Sequence, residues 1–181
     1  MVSSTSSIFF SCILLGVLLA AAVISDLRER RVSNALNVCV LVTGAAFALF
    51  TRGVSAGAQQ VLTGVGLALL IWFPMFALRL MGAGDVKLMA ASAAWLGWQG
   101  TLIASLATGV FGGLLGAFWL LRSRGAASTL HTVASAIRTP WILKLRPYEA
   151  RDRVPYALAI AAGVAMAWWM TIGSDLQGGH S

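Results

Sequence analysis

The 181 residues are 59% hydrophobic and only 10% charged, against about 25% charged in a soluble domain, which excludes a water-soluble globule. The net charge of +7 is scattered between apolar blocks, which argues against a nucleic-acid-binding face and reads as membrane topology. Cys12 and Cys39 each lie inside an apolar block, with no CxxC pair and no Cys/His cluster at zinc spacing, so no metal or cofactor is expected.

The apolar blocks predict an all-α, polytopic integral membrane protein of about six transmembrane helices, forming one membrane-embedded domain over residues 1–181. The first helix covers about 8–25. It has no basic segment ahead of it and "DLRERR" follows at once, so it is read as a helix of the mature protein and not as a signal peptide. The second covers about 35–51 and the third about 59–79, with Pro74 inside it. Residues 88–121 then carry no charge; as one helix they would measure about 51 Å, too long for a hydrocarbon core of about 30 Å. "LGWQG" (96–100) is the natural turn, giving helices at about 84–98 and 101–121. The sixth covers about 154–172, with Pro155 tolerated in its first turn.

The connection 122–153 is long and basic. Its piece "AASTLHTVASAIRTPWILKL" reads equally as a helix lying on anionic headgroups or as a plain cytoplasmic loop. Gly109/Gly113 and Gly112/Gly116 form overlapping GxxxG pairs, read as close helix packing. The alternation of sides assigns twelve of the thirteen Lys and Arg residues to one side, with Arg52 alone opposite. The positive-inside rule makes that side cytoplasmic, puts both termini outside, and implies the cytoplasmic (inner) membrane.

Of six acids, Asp26 and Asp85 each abut an apolar helix, where ionisable residues are costly and are functional candidates by default. Plainer readings exist: Asp26 as a helix-end acid paired with Arg30, and Asp85 as the N-cap of the fourth helix. Topology puts both at the same cytoplasmic depth. Two close carboxylates tend to share one proton, so one can take a proton from water while the other donates to a scissile peptide. Gly82 and Gly84 would let an extended backbone approach Asp85. Lys87 either tunes Asp85 or snorkels to headgroups, the second being favoured.

"GAGDVKLMAA" (82–91) resembles the GxGD signature of the type IV prepilin peptidases, membrane aspartic proteases. "DLRERRVSN" (26–34) resembles that family's first aspartate followed by basic residues and Pro-Asn, with Ser33 in place of the proline before Asn34. "VPYALAI" (154–160) resembles the Pro-Tyr start of its last helix, here Pro155 and Tyr156. The resemblance implies that Asp26 and Asp85 are the catalytic pair. It implies as substrate a prepilin, whose short basic leader is removed ahead of one apolar helix at the cytoplasmic border. The larger members also N-methylate the product through a cysteine-bearing domain. Without a cysteine quartet here, cleavage alone is expected, as in short members serving Flp (tight adherence) pili. Alternatives are an archaeal preflagellin-type peptidase, another GxGD intramembrane protease (although Ser25, not Tyr, precedes Asp26) and a small proton-coupled carrier.

Overall fold

A computed structural model describes residues 2–29, 33–78, 81–124 and 156–178. Five helices account for nearly all of them: α1 (Val2–Glu29), α2 (Asn34–Arg52), α3 (Val54–Ala77), α4 (Ala83–Arg124) and α5 (Tyr156–Gly178), with no strand among the described residues. Phe10–Glu29, Asn34–Arg52, Val54–Ala77 and Ala83–Gly116 are long and apolar enough to cross a membrane, and Tyr156–Thr171 is a shorter apolar helix. Large side chains such as Phe10, Phe50, Leu70, Leu106 and Trp169 face outward, as the sides of a lipid-facing bundle do. The chain is an all-α, multi-pass membrane protein. Pro155 and most of the basic connection 122–153, with its surface-helix reading, lie outside the described residues.

Helix ends differ from expectation where a local cause can be named. α1 continues to Glu29, because nothing in "DLRE" breaks a helix, and Asp26 therefore lies inside its last turns. α3 begins at Val54 rather than near 59, because Gly53 alone makes the α2–α3 turn, with φ +81, a conformation that glycine adopts without strain. The two helices then run close: a Cβ at Gly57 would stand 2.6 Å from the Ala48 carbonyl oxygen.

The two helices expected at 84–98 and 101–121 are the two arms of α4, divided at one residue, Gly97 (φ 65, ψ −170). Their directions follow from their neighbours on α5. Gly112, in the second arm, lies against Tyr156 at the start of α5, and Gly100 lies near Thr171 towards its other end. In the first arm, Trp95 meets Trp168 edge to face at 5.8 Å. The second arm is therefore antiparallel to α5, and α4 folds back on itself at Gly97. Such a break leaves carbonyls of the first arm without partners. Gln60 of α3 answers them: its Nε2 donates to the Trp95 oxygen at 3.0 Å and to the Ala94 oxygen at 3.4 Å.

The first arm is the axis of the bundle. Every residue from Leu88 to Leu96 is buried, and α4 packs against α2, α3 and α5. Ala90, Ala91, Ala93 and Ala94 let neighbouring backbones come close, as where Gly64 abuts the Ala93 carbonyl. Trp95 locks the centre. Its ring lies over Gly44 and stacks on Phe47 at 5.3 Å, and its Nε1 donates to the Val40 oxygen at 2.9 Å. Trp72 Nε1 donates to Ser105 Oγ at 3.0 Å, tying α3 to the second arm, and Trp168 Nε1 to Cys12 Sγ at 3.2 Å, tying α5 to α1.

The GxxxG expectation holds at one glycine. A Cβ at Gly112 would meet Tyr156 and Ala159, whereas Gly109, Gly113 and Gly116 face open space among the described residues. The row facing α5 is Ala104, Thr108 and Gly112, with Gly163 pressed against the first two. That row has a spacing of four, and the other three glycines lie off it.

Candidate active site

Asp26 sits near the C-terminal end of α1, half-buried, where the helix's own dipole is unfavourable to a carboxylate. The opposite field comes from α5. Asp26 Oδ2 accepts the Ala157 backbone N–H at 3.3 Å, one of the first-turn N–H groups that no intrahelical carbonyl can satisfy. A helix N-terminus favours a negative charge placed there.

Asp85 is the third residue of α4. The Gly82 carbonyl accepts the N–H of Asp85 at 3.2 Å and of Val86 at 3.4 Å, so Gly82 occupies the N-cap position. The reading of Asp85 as the cap is thereby corrected: it lies inside the first turn, again at the positive end of a helix. Its carboxylate folds back over Gly82, where a Cβ would stand 3.1 Å from Oδ2. Gly84 is half-buried in the same turn. Across from it, the Asp85 carboxylate interacts electrostatically with the Tyr156 phenol. The Tyr156 ring packs over Gly112, 3.1 Å from where a Cβ would be.

Both acids thus lie towards the first turn of α5, Asp26 in direct contact with it and Asp85 within electrostatic range. Asp26 bonds the backbone of Ala157, and Asp85 acts on the side chain of Tyr156, the residue before it. They arrive from helices that do not pack on each other among the described residues: α1 packs on α2 and α5. Lys87 is exposed, as a snorkelling lysine would be, but its Nζ donates to Asn34 Oδ1 at 3.1 Å. That bond latches the start of α2 to α4 two residues from Asp85. Among the described residues no group of three or more His, Cys, Asp or Glu gathers as metal ligands do.

Sequence reasoning passed over Gln60, which caps the broken helix, and Asn37, Ser92 and Thr108, buried side chains whose polar atoms have no hydrogen-bond partner. The available signal for Asn37 was a lone amide in the apolar run "ALNVCVLV".

The model of the type IV leader peptidase family matches residues 12–117. The chain belongs to the type IV leader peptidase family. The matched stretch holds Asp26, Asn34, Gly82, Gly84, Asp85 and Lys87, and stops before α5, whose first turn bonds Asp26. Two relatives carry the name prepilin leader peptidase/N-methyltransferase, one from Aeromonas hydrophila and one from Aeromonas salmonicida. Each is 28% identical over 166 residues, covering 87% of this chain and 49% of the relative. The chain therefore spans about half the length of the curated relatives it matches. No solved structure gives a significant match.

Proposed function

We propose that this chain is an aspartic endopeptidase of the inner membrane that removes the basic leader from type IV or Flp prepilins at the cytoplasmic border. Asp26 and Asp85 are its catalytic pair. The observation that carries the reading is that Asp26 accepts the Ala157 N–H in the first turn of α5, with Asp85 within electrostatic range of Tyr156 in the same turn. The family match and the names of the relatives support leader peptides as the substrate.

In this mechanism the pair holds one proton, and its titrations belong to the pair rather than to either acid. The ionised carboxylate takes a proton from water as the water oxygen bonds the scissile carbonyl carbon. The protonated carboxyl first donates to the carbonyl oxygen. As the C–N bond breaks, a proton passes to the departing amine and the carbonyl re-forms, leaving the pair again with one proton. Gly82 leaves the Asp85 carboxylate room beside the substrate backbone. Anionic headgroups take the leader's basic residues, and the six-span layout with both termini outside brings the acids to the face where such leaders lie. Cleavage without methylation is proposed because the sequence holds two cysteines, Cys12 and Cys39, and no cysteine quartet.

Co-expression with a prepilin, scored by the mobility shift of leader removal, tests the reading. Asp26→Asn and Asp85→Asn are each expected to abolish the shift, and either variant cleaving at the wild-type rate refutes the dyad. Chelator is expected to leave cleavage unchanged. Mass spectrometry of the mature pilin is expected to show no added methyl group.

A further inference from the structure

Among the described residues, the buried polar side-chain atoms left without a hydrogen bond are both amide atoms of Asn37, Gln60 Oε1, Ser92 Oγ and Thr108 Oγ1. Hydroxyls elsewhere in these helices behave differently. Thr43, Thr63, Thr101 and Thr171 each donate to the carbonyl four residues back, the usual recourse of a hydroxyl in a helix. Asn37 is the most demanding exception, since its amide can donate twice and accept as well, and the residue is only 6% exposed. An apolar residue of the same size would stabilise the fold better than an amide left unpaired. Stability therefore gives no reason for Asn37.

Its position does. Asn37, Val40, Gly44 and Ala48 form the buried stripe of α2. Val40 and Gly44 meet Trp95, and Phe47 lies against both Trp95 and Trp168. The stripe thus faces the first arm of α4, the element that carries Asp85. Asn37 is the residue of that stripe nearest the end holding the acids. It lies about 4.5 Å deeper along α2 than Asn34, which is bridged to Lys87. Ser92 stands two helical turns beyond Asp85, hence on the same face of α4. Inward of the acids, therefore, two helices carry polar atoms that the protein itself does not satisfy.

A peptide cut at this depth has the complementary need. The segment at the scissile bond must be extended, and its N–H and C=O groups have no water to bond within the membrane. We infer that Asn37 is a substrate-binding residue that takes the backbone of the cleaved chain just inward of the scissile bond. Its amide donates to one peptide carbonyl and accepts from one peptide N–H, as the edge of a strand does. The inference rests on the peptidase reading and adds to it the part of the substrate this site grips, the start of the apolar segment.

The test uses the purified full chain with a precursor carrying a basic leader and one apolar helix, leader release being timed and Asp85→Asn serving as the blank. Asn37→Leu and Asn37→Ala are both made, so that a failure of one to fold leaves the other to decide. The expected result is kcat/KM about tenfold lower or more in both variants, with the Tm of Asn37→Leu, the variant of matching size, at or above wild type. Wild-type cleavage by a folded Asn37 variant overturns the inference. So does a fall in Tm in both variants that accounts for their lost cleavage, since Asn37 would then be structural. If the wild type leaves the precursor intact, the peptidase reading fails and the inference falls with it.

Discussion

A methyl group at position 82 would stand 3.1 Å from Asp85 Oδ2, tighter than ordinary van der Waals contact, so the carboxylate would have to shift by a few tenths of an ångström. Catalytic groups lose rate steeply when misplaced. Gly82→Ala is expected to slow leader cleavage several-fold. Gly82→Ser separates two causes, because Ser restores an N-cap preference that Ala lacks. If crowding is responsible, timed cleavage by both variants is slow; if capping is, the Ser variant cleaves normally. At this scale the acids were legible, because a charge stands out in an apolar run. The jobs of Gly82 and Asp85 were not, because the helix starts three residues earlier than a cap at Asp85 requires. Asn37 and Gln60 were missed because a neutral amide barely disturbs hydropathy, and only packing reveals whether it is satisfied.

Among the elements, α4 turns on Gly97 and Gln60 together. With φ 65 and ψ −170, Gly97 occupies a region open essentially to glycine alone, and another residue there costs about 1–3 kcal/mol. Gly97→Ala is expected to destabilise the protein by that amount in detergent unfolding. Gln60→Leu strips the donor from the Trp95 and Ala94 carbonyls and is expected to cost about 1 kcal/mol. The two act on one turn, so the double variant is expected to deviate from additivity. The existence of this turn followed from length against bilayer thickness. Its single-residue form did not, because the cap arrives from α3, more than thirty residues earlier in the chain. The early start of α3 was likewise hidden, since Gly53 closes in one residue the gap expected between helices at about 35–51 and 59–79.

Over the whole molecule, the contact between distant elements was not legible. Loop charges led to the expectation that Asp26 and Asp85 share one membrane face, but they gave no sign of α5, bonded to Asp26 across 131 residues of sequence. The packing of α5 should then govern activity from a distance. A side chain at Gly163 would collide with Thr108 and Ala104. Gly163→Leu is expected to lower cleavage at least tenfold with both acids intact, and Gly113→Leu, on a face open among the described residues, to leave it near wild type, both read by leader release. The buried first arm has a different consequence, for biogenesis. From Ala83 to Leu96 it measures about 21 Å, short of a bilayer of about 30 Å, and from Leu88 onwards it meets protein rather than lipid. A translocon offered that arm alone would have little reason to release it sideways. Membrane insertion should therefore treat the two arms of α4 as one hairpin cargo, admitted once both have been synthesised.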